Sequence, residues 1–276
     1  LHGEQSLCEC IIGMAQDFVG SNNMPVFTGH GQFGSRLLGG KDAASPRYIH
    51  VSAAKWLAHC FMPVDDDLLD MNTEENTTVE PVHMIPVVPM VLINGTSGIA
   101  TGWSSFVPPH NPKDVIECVR CLIDKRPMPH IRPCWNKFRG RVTSDDQKCT
   151  TRGRYSVTGG KAVVEELPVY VWTETFKAKI ESMKEVSKVR SSCDDENVHL
   201  EFSIQDSSSL DKLMSTTLSL ANMWLLDENQ KLRKFESARE IIEHHHAVRL
   251  GFYVKRKGKL IGDLRAAQLR CEQMIR

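Results

Sequence analysis

Residues 31–49 read GQFGSRLLGGKDAASPRYI and are the most chemically informative stretch of the chain. Its glycines stand in two pairs, which predicts turns or close backbone approaches. Arg47 and Tyr48 stand side by side at its end. A phenol can attack a phosphodiester while a neighbouring guanidinium holds and neutralises the phosphate. The alternative is a packed tyrosine ring in a tight turn, the usual fate of an amphipathic aromatic.

Composition narrows the class of protein without deciding its function. The chain has 276 residues, 41% of them hydrophobic and 25% charged, which is ordinary for a globular protein. Its net charge of +0 gives no overall signal for nucleic acid. Acidic residues cluster between 65 and 80, and basic residues cluster over 113–141 and from 231 onward. The basic segments are either solvated faces or a track for a DNA backbone.

Cysteines and hydropathy indicate a reducing compartment and no membrane partner. Two close pairs, Cys8/Cys10 and Cys118/Cys121, are too close or too isolated to form a zinc site alone. The nine cysteines therefore favour free thiols. No apolar run is long enough to span a bilayer. Because the chain lacks a starting Met and opens inside a motif, we expect it to be a fragment.

Periodicity predicts the elements around the central stretch. Helices are expected over residues 7–19, 52–61 and 113–124, and one or two helices over 237–276. Residues 65–80 are expected to be a solvated loop and 85–93 an extended apolar run. Short strands are expected between 138 and 165 and over 198–204. The consecutive histidines 244–246 are expected to be solvated, because neighbours on a helix point about 100° apart and cannot share one metal ion.

Three further motifs accompany the central stretch in a consistent order: HGEQSL (2–7), QDFVGSNN (16–23) and PMVLINGTSGIATGW (89–103). Together the four resemble the breakage-reunion region of eukaryotic-type DNA topoisomerase II, a group that includes enzymes of large DNA viruses. The resemblance implies an α+β fold. A winged-helix (CAP-like) unit would span residues 1–87, a strand-rich tower 88–236, and the start of a coiled-coil arm toward a dimer gate 237–276.

The resemblance also assigns a reaction. Two subunits would each use Tyr48 to attack one strand of a duplex, and each would form a 5′-phosphotyrosyl link. Arg47 would stabilise the transition state and His2 would help to position the phosphate. Ile99, which is otherwise a plausible core residue in a turn, would wedge between base pairs and bend the DNA.

The other predicted contacts position the duplex without reading its sequence. We expect them at Lys41, Arg36, Gln32, Ser45, Ser21, Asn22, Thr216, Thr217, Ser219 and Asn222. No metal site is expected in the chain. The resemblance places Mg²⁺ and ATP in other parts of the full-length enzyme, which would act on double-stranded DNA as a homodimer. It implies a nuclear location for a cellular protein and a cytoplasmic replication site in the host for a viral one.

Three alternatives stay open from the sequence. The chain could be a non-catalytic winged-helix DNA-binding protein, in which Tyr48 only packs or contacts phosphate. It could be a structural scaffold without any nucleic-acid role. It could also be a bacterial gyrase-like subunit, although the SPRY and NG..GI.TGW motifs fit the eukaryotic type better.

Overall fold

The computed structural model describes residues 3–145 and 147–275 as a mixture of helices and antiparallel strand pairs. The helices are α1 (Glu4–Ala15), α2 (Leu57–Cys60), α3 (Met90–Asn94), α4 (Pro112–Ile123), α5 (Thr173–Glu181), α6 (Ser207–Leu213) and α7 (Ala238–Ile275). The strands are β1 (Phe27–His30), β2 (His50–Ala53), β3 (Met71–Glu74), β4 (Thr77–Pro81), β5 (Thr96–Ala100), β6 (Trp103–Val107), β7 (Arg141–Ser144), β8 (Lys148–Arg152), β9 (Arg154–Thr158), β10 (Lys161–Glu166), β11 (Val186–Ser191), β12 (Leu200–Ile204), β13 (Ser215–Ser219), β14 (Met223–Leu226) and β15 (Leu232–Phe235). This mixture confirms the predicted presence of both helices and strands.

The first helix is shorter than predicted. We expected it to reach Val19, but α1 ends at Ala15. The side-chain amide of Asn22 donates to the carbonyls of Gly13 at 2.7 Å and Gln16 at 3.0 Å. These contacts occupy carbonyls that the last turn of a helix leaves without partners. Val19 is only 5% exposed, although it lies beyond the helix. The apolar pattern therefore predicted the burial of Val19 correctly, but it placed the end of the helix too late.

The predicted helix over residues 52–61 is wrong for most of its length. Strand β2 pairs with β1 as far as Phe27 opposite Ala53, and only Leu57–Cys60 is helical. The N–H and C=O groups of β2 find hydrogen-bond partners in the two-stranded ribbon that β1 and β2 form. This segment therefore does not have to form a helix to satisfy them. Tyr48 therefore precedes a strand and not a helix.

The apolar run at 85–93 is likewise not extended throughout. Residues Met90–Asn94 form α3, and Pro89 stands at its N-cap, where no backbone donor is required. Leu92 and Ile93 are buried. They pack in one hydrophobic cluster with residues of α4, β14, β15 and α7.

The acidic block at 65–80 is largely exposed, as expected, but it forms regular structure and not a loop. It forms a 3₁₀ turn, Pro63–Leu68, followed by the β3–β4 hairpin. Asp65 is only 5% exposed. Its carboxylate accepts from Arg256 at 2.7 and 2.6 Å and lies 2.8 Å from Arg249. A buried carboxylate paired with two guanidinium groups thus fastens this turn to the last helix.

Two antiparallel sheets form the middle of the chain. One has the strand order β11–β12–β10–β9 and the other β13–β8–β7. The strands that the sequence predicted at 138–165 and 198–204 are confirmed within these sheets. The larger sheet covers α5 and α6 with a core of fully buried side chains that includes Phe176, Ile180, Leu200, Phe202, Leu210 and Met214.

The last helix, α7, is continuous over 38 residues. Its first half is anchored by buried side chains, among them Ile241, Ile242 and Phe252. From Val254 onward it exposes a series of apolar side chains, namely Val254, Leu260, Leu264, Leu269 and Met274. The change from buried to exposed marks the point where the helix leaves the rest of the fold.

Two of the three consecutive histidines are not solvated as predicted. The ring of His245 donates to the carbonyl of Pro86 at 3.0 Å, and burial lowers its pKa to about 4. The His244 ring lies 3.0 Å from the Glu228 carboxylate. These histidines pack the base of α7 against neighbouring segments.

Candidate active site

Tyr48 lies at the end of a 3₁₀ turn, Pro46–Tyr48, that joins the glycine-rich loop to β2. Pro46 fixes its own φ at the start of this turn. The backbone N–H of Tyr48 donates to the carbonyl of Ser45 at 2.9 Å. The Tyr48 side chain is 72% exposed, and the Arg47 guanidinium carbon lies 5.8 Å from its ring centre. The backbone therefore holds an accessible phenol beside an exposed cation.

Two histidines that sequence reasoning missed lie at the end of the ribbon next to Tyr48. His30 and His50 form the terminal register pair of β1 and β2, and both are exposed. Their ring centres are 6.1 Å apart, and His30 Nε2 lies 3.1 Å from the Ser52 hydroxyl. Imidazole N–H groups can donate to a phosphate. Sequence alone gave no signal for this pair, because it depends on the strand register.

The loop before Tyr48 presents only part of its predicted contacts to solvent. Lys41 and Ser45 are exposed. Gln32 is exposed too, but its amide nitrogen lies 3.4 Å from the Asp195 carboxylate and its amide oxygen accepts from the N–H of Gly34 at 3.3 Å. Lys41 and Ser45 are thus more available for contacts with a ligand than Gln32 is.

The structure contradicts the predicted contact between Arg36 and DNA. The side chain is 4% exposed and forms an ion pair with Glu166, which is 1% exposed. A second guanidinium nitrogen donates to the carbonyl of Glu196 at 3.3 Å. A guanidinium that is enclosed in this way cannot reach a phosphate on the surface. Sequence reasoning missed the pair because its partners are 130 residues apart.

Ser21 and Asn22 line a cleft of about 380 Å³ together with Thr96 and Ser97 of β5. The Ser21 hydroxyl donates to the carbonyl of Phe18 at 2.6 Å, and the Asn22 amide bonds the end of α1. The structure thus brings the end of α1 to the base of the strand that carries Ile99. Both polar side chains shape the cleft while part of their hydrogen-bonding capacity is used inside the protein.

Ile99 is held outside the fold on the β5–β6 hairpin. It is 91% exposed and lies opposite Ser104 in the register. Gly102 has φ 78° and supplies the left-handed backbone that the hairpin turn requires. Trp103 packs edge to face on Trp224 with ring centres 4.6 Å apart. A projecting isoleucine on a hairpin that is packed from behind is suited to insertion between bases.

Asn222, a predicted DNA contact, uses its side-chain amide in bonds within the protein. Its side-chain amide donates to the carbonyl and the hydroxyl of Ser104, at 2.6 Å each. It therefore supports the hairpin that carries Ile99. A contact between this side chain and a phosphate would have to break at least one of these bonds.

The predicted contacts on β13 divide between two faces of its sheet. Thr217 lies opposite Thr150, with their hydroxyls 3.1 Å apart, and Ser219 lies opposite Lys148 on the same exposed face. Thr216 points to the other face and pairs with Thr151, which is fully buried. The alternation of a strand thus separates Thr216 from the surface that its neighbours share.

The exposed face of this sheet is cationic as well as hydroxyl-rich. Register and exposure put Arg141, Lys148 and Arg152 on the same side as Thr217 and Ser219. Cationic and hydroxyl side chains together are typical of surfaces that contact a nucleic-acid backbone. Arg152 on this face also forms an ion pair with Asp211.

Two further predictions concern His2 and the presence of a metal site. His2 lies outside the described residues. Over 3–145 and 147–275, no group of three or more His, Cys, Asp or Glu side chains could hold a metal ion.

Comparison with known proteins decides the family. A family model for the A subunit of DNA gyrase/topoisomerase IV matches residues 1–276. The chain belongs to this DNA gyrase/topoisomerase IV family. The chain is 36% identical to a DNA topoisomerase 2 of Bombyx mori over 96% of its own length and 18% of the relative. It is 34% identical to DNA topoisomerase 2 of Pisum sativum, over 100% of its own length and 20% of that relative.

A solved structure supports the same family membership. The DNA-binding, cleavage and re-ligation domain of Plasmodium falciparum topoisomerase II matches with a TM-score of 0.92 and 34% identity. The match covers 96% of this chain and 38% of the solved one. The chain thus spans about a fifth of the length of its curated relatives. The predicted resemblance to eukaryotic-type topoisomerase II is confirmed.

Hydropathy gives one further result. In the part of the chain that the structure describes, none of the helices combines the length and the apolar character needed to cross a bilayer.

Proposed function

We propose that the chain is the DNA breakage-reunion part of a type II DNA topoisomerase, an isomerase that passes one duplex through a transient break in another. Passage of this kind relaxes supercoils and separates linked duplexes. The observation that carries the proposal is the accessible pair of Tyr48, 72% exposed, and Arg47 on a fixed turn. The projecting Ile99 and the adjoining cleft support it.

The proposed chemistry exchanges one phosphoester bond for another. The phenolic oxygen of Tyr48 attacks phosphorus, and the bond between phosphorus and the 3′ oxygen of the preceding sugar breaks. That oxygen takes up a proton and becomes a free 3′-hydroxyl. A phenol is mostly protonated near neutral pH, so its proton must pass to a base in the complete active site. Because no phosphoester energy is lost, religation needs no external energy.

Arg47 acts on charge in this step. Its guanidinium lies next to the Tyr48 ring and opposes the negative charge that develops on the phosphate. In other enzymes, removal of one preorganised group of this kind costs about 2.7–4 kcal/mol of transition-state stabilisation. His2 is proposed to help to position the same phosphate.

The bound DNA is proposed to follow three surfaces. Lys41, Ser45 and Gln32 lie by the scissile phosphate, Ser21 and Asn22 lie in the cleft, and Thr217 and Ser219 lie on the cationic sheet face. Ile99 enters the base stack and kinks the duplex. Sequence preference then arises from how easily a DNA step bends and not from base contacts.

The proposed domains follow the sequence boundaries. Residues 1–87 form a winged-helix unit around α1 and the β1–β2 ribbon, 88–236 form the tower with both larger sheets, and 237–276 begin the coiled-coil arm with α7. The 38-residue length of α7 and its exposed second half support an arm. The second and third units share a core, because the buried cluster around Leu92 draws residues from α4 and β14 of the one and from α7 of the other.

The intact enzyme is proposed to be a homodimer, in which each copy contributes one Tyr48 to opposite strands. ATP would drive the cycle from another part of the protein. Magnesium would also bind outside this chain. We propose a nuclear location if the source is cellular, and a cytoplasmic replication site in the host if it is a large DNA virus.

The experiment that tests this function compares the intact protein that carries this chain with its Tyr48→Phe variant. Each is incubated with duplex DNA and Mg²⁺, and denaturant then traps covalent complexes. The proposal expects double-strand breaks with protein on the 5′ ends, and complete loss in the variant with DNA binding retained. Binding without any cleavage by the unchanged protein would favour the non-catalytic alternative. Failure of both proteins to bind DNA in low salt would favour the scaffold.

A further inference from the structure

The buried ion pair of Arg36 and Glu166 joins the loop that ends in Tyr48 to the end of strand β10. Arg36 is 4% exposed and Glu166 is 1% exposed. Charges are costly to remove from water, and such a pair persists only where geometry and hydrogen bonds compensate for that cost. The pair therefore fixes the separation of two segments that lie 130 residues apart.

The Glu166 end of the pair is rigid. One carboxylate oxygen accepts from the backbone N–H of Leu167 at 3.0 Å, and the other accepts from that of Arg139 at 3.2 Å. Backbone donors from two segments thus orient the carboxylate before Arg36 meets it. A charge held by several hydrogen bonds is a firm anchor for its partner.

The Arg36 end is fixed by its own backbone as well. Its carbonyl accepts from the N–H of Thr173 at 3.3 Å, and the next carbonyl, of Leu37, accepts from Glu174 at 3.1 Å. Gly39 then packs so closely on Trp172 that a side chain there would overlap the indole. The loop is therefore attached to the β10–α5 region at consecutive points.

The remaining path from this anchor to Tyr48 is short and closed on itself. The Ser35 hydroxyl donates to Asp42 at 2.5 Å, and the backbone N–H of Ala44 donates to the carbonyl of Gln32 at 2.9 Å. The 3₁₀ turn that ends in Tyr48 begins two residues after Ala44. A shift at Arg36 is thus carried to the turn that presents the phenol.

We propose that Arg36 and Glu166 are a positioning pair for Tyr48, which sets where its phenolic oxygen lies relative to the scissile phosphate. Neither residue touches DNA. The inference rests on the proposed function of Tyr48. It matters because a misplacement of about 1 Å can cost on the order of 100-fold in rate even when it originates far from the chemistry.

The test uses the intact protein and its Glu166→Gln variant, with single-turnover formation of the covalent complex measured over a range of duplex concentrations. We expect the rate at saturating DNA to fall by about tenfold or more. The DNA concentration that gives half the maximal rate should change by less than about threefold, because no DNA contact is removed. Arg36→Lys, which keeps the charge, should retain part of the rate that Glu166→Gln loses.

The matched control is Asp65→Asn. Among the residues that the structure describes, Asp65 forms the other buried ion pair between distant segments, with Arg249 and Arg256 of α7. This variant should lower the melting temperature at least as much but leave the rate per folded molecule unchanged. Equal rates for Glu166→Gln and the unchanged protein would overturn the positioning role, as would equal losses in both variants. If Glu166→Gln does not fold, Arg36→Gln decides by the same criteria. Absence of any covalent complex with the unchanged protein would instead refute the proposed function.

Discussion

The side-chain amide of Asn222 donates to both the carbonyl and the hydroxyl oxygen of Ser104, at 2.6 Å each. Ser104 lies directly opposite Ile99 in the β5–β6 register. The carbonyl of Asn222 also accepts from the N–H of Phe106 at 2.9 Å. A residue 118 positions later in the chain thus holds the strand that backs the projecting isoleucine.

Replacement of Asn222 by alanine should loosen this hairpin. Loss of its side-chain bonds to Ser104 should cost about 0.5–1.5 kcal/mol per bond, mostly as local opening. We expect faster amide exchange over residues 96–107 and weaker DNA bending, with the global melting temperature little changed. Asn229→Ala, an exposed asparagine in the turn after β14, serves as the control. Unchanged exchange in the hairpin would contradict the supporting role.

Ile99→Ala should separate DNA deformation from protein stability. Because the side chain is 91% exposed, we expect the free energy of unfolding to change by no more than about 0.5 kcal/mol. DNA bending, measured by energy transfer between dyes at the duplex ends, should decrease together with cleavage. Ile123→Ala, at an isoleucine that is 64% exposed on α4, should change neither property. If both variants bent DNA like the unchanged protein, the wedge assignment would be wrong.

Asp65→Asn should destabilise the fold strongly. Burial by itself raises the pKa of this carboxyl, but hydrogen bonds from Arg256 and Arg249 outweigh that effect and hold the pKa below its usual value. Loss of the charge leaves two guanidinium groups without their partner, and breaking a buried pair of this kind costs about 3–5 kcal/mol. The measurement is urea unfolding near pH 7.

The pH dependence of that loss has a defined sign. A depressed folded-state pKa contributes stability above the unfolded pKa, about 3.9 for Asp, and loses it as the pH falls through the folded value. The difference between Asp65→Asn and the unchanged protein should therefore be constant at neutral pH and shrink only below about pH 4. A difference that already shrinks between pH 7 and 5 would contradict this account.

His110 should make the fold less stable in mild acid. It is 2% exposed, and burial lowers its pKa to about 4 from 6.5. The unfolded chain then binds more protons than the folded one, so stability is complete above about pH 6.5 and declines as the pH falls toward 4. At pH 5.5 the loss from this residue should be about 1.4 kcal/mol.

The check is urea unfolding at pH 7.5 and 5.5 for the unchanged protein and for His110→Gln. The variant should be less stable at both values but should show the smaller drop between them. His130→Gln, at an exposed histidine nearby, controls for general effects of acid. An equal drop in all three proteins would show that His110 does not titrate as described.

The local backbone that sequence predicted well has its signal within a few residues. Pro46 and the glycines around Arg47, Tyr48 and Ile99 place these residues in turns or near them, whereas their roles toward DNA come from the resemblance and stay predictions. The amphipathic pattern of α4 likewise needs no distant partner. Such features are fixed within a few residues of the chain.

The features that sequence missed depend on partners far away. Arg36 looked like a surface cation because Glu166 is 130 residues from it. The helix expected at 52–61 gave way to a strand because β1 was available as a partner. Thr216 and Thr217 looked equivalent until the register of β13 with β8 put them on opposite faces.

The most direct test of the central claim asks which atom of the protein carries the DNA. Covalent complexes of the intact protein are trapped, the DNA is digested with nuclease, and the peptide that retains a nucleotide is identified by mass spectrometry. The chain has four tyrosines, Tyr48, Tyr155, Tyr170 and Tyr253. The account predicts a 5′-linked nucleotide on Tyr48 alone, whereas a nucleotide on any other residue, or a break that leaves no protein attached, would contradict it.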